Sequence, residues 1–385
     1  MKNIKIKKID SIILTGSFGN QKYYGYNNKK KIVSLVKIVT NSGHYGYGES
    51  LAGIYNPKIF AQNLKILSPG FKDKNLLESL DHCIELQKNK FFLYQGILKS
   101  ILASIEIGLL NLIAKIKNDT FSSVVNSLYF KNKLIENNFV DIYASTGSIL
   151  STDKELLNDI NSSKKLGIDK VKVRLKTTNF SSKLKIRENN TKNFSIDLIA
   201  NTYEKNRNLK NLSNFLKSLK SKKLLWLEEA LNTNDIENFP KLKKKYKIPY
   251  SYGENFNSYY DFINLIKFYK FNYVNVDISH CTISDLCMIV KYMMKNKIKK
   301  KIIFHCWGSV INLHTSIELA ALMNEFVYMV EFPTTDFTLN NKFVKDSKIM
   351  NSKYYFDKNR NGIKDFYHDV SNKSKNIDKS IFKFD

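Results

Sequence analysis

The first third of the chain carries two patterns of apolar positions. Residues 4–16 and 32–40 alternate or run apolar with many β-branched side chains, and the segment 45–50 follows an Asn-Ser-Gly turn, so we predict a small antiparallel sheet. Residues 75–117 repeat apolar positions every three or four residues, which predicts helices. Strands followed by helices, without alternation, indicate an α+β domain over residues 1–135.

From residue 136 onward, short apolar segments alternate with lysine-rich helical stretches. Eight strands at roughly 25–30 residues per unit are the count and spacing of a parallel α/β barrel. An open doubly wound sheet is the alternative, but no Gly-x-Gly-x-x-Gly follows the first strand. We therefore expect a barrel domain over residues 136–350. The predicted strands are 140–145, 170–175, 194–201, 224–229, 249–254, 273–279, 301–305 and 326–332.

Two segments lie outside these elements. Residues 16–31 are rich in Gly, Asn and Tyr, and we expect a mobile loop that can close over a site. Residues 351–385 are polar and rich in Asn and Lys, and we expect them to pack back on the first domain or to fray.

The net charge of +27 raises nucleic acid or an anionic membrane as a partner. Only four of the 62 basic residues are Arg, and the lysines are scattered among Asn and Ile. Bidentate recognition of phosphate would favour Arg, so we interpret the charge as a solvated lysine-rich surface, with no nucleic acid and no membrane as partner. The four cysteines are widely spaced without a Cys-x-x-Cys pair, which favours a soluble, cytoplasmic protein. The apolar run near the N-terminus is too short for a signal peptide.

Polar residues recur at the ends of the predicted barrel strands, where barrel enzymes carry their catalytic groups. One such residue is weak evidence, because a structural role is common, but six strands share the feature. The residues are Lys172 and Arg174 on strand two, Glu228 and Glu229 on strand four, Glu254 on strand five, Asp277 on strand six, His305 on strand seven and Glu331 on strand eight.

The segments that carry these residues form an ordered set. The hairpin VKIVTNSGHYGYGES precedes KVR, WLEEA, YGEN, VNVDIS and FHCWGS, about one barrel unit apart. This order resembles the mandelate racemase-like branch of the enolase superfamily over nearly the whole chain. The resemblance implies a (β/α)7β modified TIM barrel with an α+β capping domain. It also implies Mg²⁺-dependent abstraction of the proton next to a carboxylate, through an enediolate.

Glu228 and Glu254 offer the hard oxygen ligands that Mg²⁺ takes. Glu229 points the other way by strand alternation, so we interpret it as structural. The resemblance implies a first metal ligand, an Asp, at the end of strand three, where this chain has Ile199. A two-residue slip of the strand would bring Asp197 to that level, Asn201 could supply a neutral ligand, or the metal site is lost. We expect weakened binding rather than loss.

The same resemblance places the bases on strands two and seven. Lys172 and Arg174 point the same way, and their repulsion should depress the pKa of Lys172 and favour its basic form. Arg174 stands where a Lys base is usual, and because Arg stays protonated it is a better anion clamp. His305, oriented by Asp277, is the stronger base candidate. Glu331 resembles the residue that binds the developing oxyanion, although a structural role is also open.

One functional base beside a fixed Arg charge favours dehydration of an acid sugar. His305, or Lys172 helped by metal, would take the α-proton, and protonated His305 would then donate to the leaving β-hydroxyl. The HCW segment also resembles that of sugar-acid dehydratases. A racemase or cycloisomerase of the same superfamily is the alternative, as is a catalytically impaired binding relative. The expected partner is a small carboxylate substrate, and we expect a homo-oligomer.

Overall fold

The structure is a computed structural model that describes residues 3–17, 30–54, 56–88, 96–177, 180–191, 193–199, 209–219, 224–334 and 337–356. The N-terminal part is a three-stranded antiparallel sheet followed by helices, as predicted. We call it the cap. Its elements are β1 (Ile6–Ser17), β2 (Lys30–Thr40), β3 (Tyr45–Ser50), α1 (Pro57–Leu67), α2 (Leu76–Lys88), α3 (Ile97–Lys117) and α4 (Phe121–Val125).

The helix α3 packs directly on β3, and two glycines make this close approach possible. A Cβ at Gly48 would lie 1.8 Å from the Ser104 carbonyl oxygen, and one at Gly46 would lie 2.4 Å from the Gly108 carbonyl oxygen. Helix α3 has the length and hydropathy of a membrane span, but 89% of that window is buried inside the protein. A buried central helix accounts for its apolar sequence.

The second part is a closed parallel barrel, and within the described residues it contains eight strands. The last strand pairs in parallel with the first, with Val330 opposite Ile142. A helix stands between each successive pair, which confirms the predicted (β/α)7β modified TIM barrel with its capping domain. The elements are β4 (Phe139–Thr146), α5 (Asp153–Lys165), β5 (Lys170–Arg174), α6 (Ser181–Asn190), β6 (Asn193–Asp197), α7 (Leu209–Ser218), β7 (Leu224–Glu228), α8 (Phe239–Lys245), β8 (Tyr250–Tyr252), α9 (Tyr259–Lys267), β9 (Tyr273–Val276), α10 (Ile283–Lys295), β10 (Ile302–Phe304), α11 (Val310–Leu322) and β11 (Val327–Pro333).

A small apolar cluster on the barrel strands, which precedes the strand-end residues, consists of Tyr143, Trp226, Ile303 and Met329. The rings of Tyr143 and Trp226 meet edge to face at 5.0 Å between centroids. This layer closes the barrel and forms the floor beneath the polar residues at the strand ends.

After the barrel come α12 (Asn341–Asp346), β12 (Lys348–Met350) and β13 (Lys353–Tyr355). Strand β13 pairs antiparallel with β4, so the chain up to Phe356 is attached to the barrel. Residues 357–385 lie outside the described residues, and their packing against the cap stays a prediction.

Cap and barrel are joined by buried carboxylates that accept hydrogen bonds from helix starts across the interface. Glu106 on α3 accepts from the Ser284 amide at the start of α10, at 3.0 Å. Glu318 on α11 accepts from the Ser122 amide in α4, at 3.0 Å. Glu49 at the end of β3 accepts from the Ser309 amide at the start of α11, at 2.8 Å. Such contacts satisfy amides that a helix leaves without a partner in its first turn.

Candidate active site

The polar residues predicted at the strand ends converge at one end of the barrel. Register pairs Arg174 with Asp197 and Asp197 with Glu228 on neighbouring strands. The shared carboxyl edge of parallel strands explains why residues so distant in sequence meet. The buried members of the group are Lys172, Asp197, Glu228, Asp277 and Glu331, with Arg174, Glu254 and His305 slightly exposed.

Three carboxylates form a cluster in which one oxygen of each lies within 4.8 Å of the others. They belong to Asp197, Glu228 and Glu254. Asp197 is the last residue of β6 and lies level with Glu228, which is the geometry that the two-residue slip predicts.

Strand β6 is shorter than the predicted strand 194–201, and that prediction is wrong. The Ile199 amide donates to Asp197 Oδ1 at 2.9 Å, and Ile199 adopts a left-handed backbone with φ of 45°. This local turn takes the chain out of the sheet directly after Asp197, because the carboxylate replaces a ladder partner. Asn201 lies outside the described residues, so its role as a ligand stays a prediction.

The cluster has the donor set that suits a divalent cation. Burial, together with repulsion from Asp197 and Glu228, raises the pKa of Glu254 to about 7, although His305 opposes the shift. Burial also raises the pKa of Glu228, against the pull of Lys172. Adjacent buried carboxylates ionise together only when positive charge compensates them. Three hard oxygen ligands at this spacing fit Mg²⁺.

Lys172 lies at the centre of the carboxylates, with no side-chain exposure. Its Nζ lies 2.6 Å from Glu228 Oε1, 3.3 Å from Glu331 Oε1 and 3.7 Å from Asp197 Oδ2. Burial lowers the pKa of Lys172, but these carboxylates outweigh both burial and Arg174 and hold the pKa above its ordinary value. The expectation of a depressed pKa is therefore not met in this arrangement, where the ammonium of Lys172 is held in ion pairs with three carboxylates.

Arg174 lies at the barrel mouth beside the cluster. Its Nε is 3.5 Å from Asp197 Oδ2, and an Nη is 3.7 Å from Glu331 Oε1. The same guanidinium donates to Ser145 Oγ at 3.2 Å. These contacts hold the guanidinium in a defined orientation, as an anion clamp requires.

His305 and Asp277 form a hydrogen-bonded pair, with His305 Nδ1 2.8 Å from Asp277 Oδ2. The other ring nitrogen, Nε2, faces Glu254 Oε2 at 3.5 Å and Glu331 Oε2 at 3.8 Å. Burial lowers the pKa of His305, but Glu331, Asp277 and Glu254 outweigh it and raise the pKa to about 9. Burial opposes ionisation of Asp277, yet the bond from His305 holds its pKa well below the ordinary value. The pair is oriented for proton transfer at Nε2.

Glu229 is buried and is not one of the three clustered carboxylates. Its Oε1 accepts from the Gly253 amide at 3.0 Å, which ties β7 to the end of β8. Burial and the repulsion of Glu254 raise its pKa well above the ordinary value.

One buried side chain beside the site was not singled out from the sequence. Lys31 follows the loop whose residues 18–29 lie outside the described part of the chain, and its side chain is buried. Its Nζ lies 4.1 Å from the ring centroid of Trp307 and 5.0 Å from that of Phe337. Burial lowers the pKa of Lys31 to about 7, against the pull of Glu49. Nothing in the sequence separates this lysine from the many others.

Comparison with known proteins agrees with this architecture. Residues 163–362 match the sequence profile of a family described as enolase C-terminal domain-like. No protein with a curated description matches the chain.

Several solved structures share the fold. The 3,6-anhydro-D-galactonate cycloisomerase of Zobellia galactanivorans is 17% identical, with a TM-score of 0.76 over 94% of this chain and 99% of that one. An enolase from alpha proteobacterium BAL199 with bound Mg is 13% identical, with a TM-score of 0.74 over 92% and 94%. A protein of Zymomonas mobilis ZM4, provisionally described as a dehydratase, is 16% identical, with a TM-score of 0.73 over 92% and 94%. At identities this low, the similarity shows a shared fold.

Proposed function

This chain belongs to the enolase superfamily, and from that premise we propose that it dehydrates an acid sugar after removing the proton next to the substrate carboxylate. Family membership rests on the match over residues 163–362, about half of the chain, and bears out the resemblance to the mandelate racemase-like enzymes. Structurally similar proteins carry the names of a cycloisomerase and a dehydratase. The choice between lyase and isomerase must therefore come from the site.

The observation that carries the proposal is the asymmetry around Glu331. Its Oε2 faces the imidazole of His305, whereas its Oε1 faces the cations of Lys172 and Arg174. A racemase needs a proton acceptor on each side of the substrate carbon. Here one side offers an imidazole, and the other offers an arginine that stays protonated and a lysine held in ion pairs, which suits one-sided proton removal.

Asp197, Glu228 and Glu254 are the residues that would hold Mg²⁺. When bound, Mg²⁺ supplies the positive charge that stabilises an enediolate, and pairing of this metal with a His or Lys base is a general feature of the superfamily.

The protein's own groups have separate tasks in the proposed reaction. Lys172 and Arg174 attract and orient the substrate carboxylate. His305 Nε2 takes the α-proton, while Asp277 keeps the Nδ1 proton in place. The protonated imidazole then donates this proton to the β-hydroxyl as its carbon–oxygen bond breaks. Water leaves, and the resulting enol tautomerises to a 2-keto-3-deoxy acid.

The raised pKa of His305 suits the second step directly, because the protonated ring is the proton donor. For the first step the ring must be neutral. Since Glu254 is one cause of the raised pKa, neutralisation of the Glu254 charge lowers it towards the range of a general base.

The test is turnover of a panel of acid sugars with Mg²⁺, followed by detection of the 2-keto-3-deoxy product. His305→Asn should lower turnover by roughly 100-fold to 10,000-fold without loss of folding. His314→Asn is the matched control, because its side chain is equally exposed, at 12%, and pairs with Glu318 on α11. Product of unchanged mass would assign an isomerase instead. Absence of both turnover and an Mg²⁺-dependent thermal shift would favour a binding relative.

We also place the protein in the cytoplasm, because all four cysteines are buried free thiols. The acid-sugar partner belongs to this proposal, and the expected homo-oligomer stays a prediction.

A further inference from the structure

The orientation of the Asp277–His305 pair depends on the cap as well as the barrel. We propose that Glu49, a cap residue at the end of β3, is a positioning residue for this pair and acts through the first turn of α11 and Asn312. The catalytic meaning of the inference rests on the proposed function, whereas its geometry does not.

The first link is between Glu49 and the start of α11. Glu49 is 2% exposed. Its Oε1 accepts from the Ser309 amide at 2.8 Å, and its Oε2 accepts from Ser309 Oγ at 2.7 Å and from the Asn312 amide at 3.1 Å. A Cβ at Gly308 would lie 2.5 Å from Glu49 Oε1, so a side chain at this position would clash with the carboxylate. A carboxylate at a helix N-terminus is favourable because it meets unpaired amides and the positive end of the dipole.

The second link is the side chain of Asn312. Its Nδ2 donates to Asp277 Oδ1 at 3.0 Å, and its Oδ1 accepts from Ser316 Oγ at 3.3 Å, which fixes the orientation of the amide. The other oxygen of Asp277 binds His305. Glu49, Asn312, Asp277 and His305 therefore form one continuous chain of hydrogen bonds from the cap to the imidazole.

The cap also holds Asp277 through Ser279. The Leu51 amide and Ser100 Oγ both donate to the Ser279 carbonyl oxygen, at 3.0 and 2.7 Å. The Ser279 amide and hydroxyl in turn donate to Asp277 Oδ1, at 2.8 and 2.6 Å. Asp277 Oδ1 thus accepts from both Asn312 and Ser279, and both of these residues are held by contacts that begin in the cap. Groups that orient a catalytic residue in this way determine whether its geometry is productive.

The interface offers a matched control for Glu49. Glu106 is also a buried cap carboxylate that accepts from a barrel helix start, at Ser284. Its further hydrogen bonds come from Tyr129 and from the Ser284 hydroxyl, which also contacts Gln87. This path stays within the interface and away from His305. Loss of interface stability alone should therefore affect Glu49→Gln and Glu106→Gln alike.

In Glu49→Gln the amide NH2 must face at least one donor, because both oxygens of Glu49 accept from N–H or O–H groups. The probe is the Nδ1 proton of His305 in protein labelled with ¹⁵N-histidine, assigned by its disappearance in His305→Asn. We expect its exchange with water to rise by about tenfold or more in Glu49→Gln and in Asn312→Ala, and to stay unchanged in Glu106→Gln.

Exchange unchanged in folded Glu49→Gln, or raised equally in Glu106→Gln, would overturn the inference. If Glu49→Gln does not fold, Asn312→Ala decides alone, since it keeps the Glu49 contact at the backbone. A wild-type protein without a protected Nδ1 proton would also overturn it. The measurement needs no substrate, so it tests the positioning role even if the proposed dehydration fails. With an active enzyme, kcat should fall in Glu49→Gln and Asn312→Ala while KM changes little, and Glu106→Gln should keep both.

Discussion

Lys172→Met removes the positive charge at the centre of the site while keeping a side chain of similar length. In the wild type this ammonium contacts Glu228, Glu331 and Asp197 within 3.7 Å, and all four side chains are at most 1% exposed. The variant leaves Glu228 and Glu331 without their nearest cation, and it leaves Asp197 with Arg174 alone. Removal of one partner from a buried ion pair costs about 3–5 kcal/mol of stability, and we expect a loss in that range at neutral pH.

Lys170→Met is the matched control from the same strand. Lys170 pairs with Asp141 at 3.3 Å, but the two side chains are 21% and 29% exposed. A pair in such contact with solvent contributes about 0–1 kcal/mol, so the control should unfold at a urea concentration close to that of the wild type. Urea unfolding followed by fluorescence suits the comparison, because both tryptophans of the chain, Trp226 and Trp307, lie at the site.

The pKa of Glu228 determines how the stability loss of Lys172→Met changes with pH. Burial raises the pKa of Glu228 in the folded state even with Lys172 present, and loss of Lys172 raises it further. A carboxyl with a raised folded pKa binds more protons when folded, so stability falls as pH rises through that range. The deficit of Lys172→Met should therefore be larger at pH 8 than at pH 5, and Mg²⁺ should stabilise the variant more than the wild type. A deficit below about 1 kcal/mol, or one that grows towards acid pH, would refute this reasoning.

Three further outcomes are expected. In heavy water, deuterium should enter the substrate α-position only through the His305 face, because Arg174 stays protonated; equal exchange of both stereoisomers would contradict this. Asp197→Asn should weaken Mg²⁺ binding by about tenfold or more in calorimetry, and an unchanged affinity would show that Asp197 is not a metal ligand. Burial raises the pKa of Asp159 to about 6, so its carboxyl destabilises the fold as pH rises from about 4 to 6; Asp159→Asn should flatten this part of the stability profile, and an unchanged profile would count against it.

The barrel could be predicted because its signal is local and repeated. Apolar segments such as β4, β5 and β7 alternate with helical stretches, and each pair is a unit that packs the same way. The end of β6 could not be predicted, because it depends on the Asp197 carboxylate capturing the Ile199 amide. A left-handed isoleucine is rare, so no residue preference indicates it.

The electrostatics of Lys172 show where sequence reasoning ends. From the sequence, its visible neighbour is Arg174, two residues away on the same strand, and repulsion between them predicts a lowered pKa. The structure adds carboxylates from three other strands, and their attraction outweighs the arginine. Glu49 is a stronger case, since its contact with Ser309 spans 260 residues and exists only when cap and barrel are docked. Register and docking, rather than spacing along the chain, decide these properties.

The charges of the described strand-end residues also connect the metal proposal with the substrate proposal. Five carboxylates of this group, Asp197, Glu228, Glu254, Asp277 and Glu331, outnumber the basic side chains of Lys172, Arg174 and His305. A divalent cation would offset this excess of negative charge. Without that cation the cluster repels an anionic substrate. The raised pKa of Glu254 reflects its burial and the repulsion from Asp197 and Glu228. With a divalent cation bound, less negative charge would oppose an acid sugar, and Lys172 and Arg174 would attract its carboxylate. The excess of negative charge that suits Mg²⁺ would otherwise repel a carboxylate substrate, and this repulsion links the metal proposal to the substrate proposal.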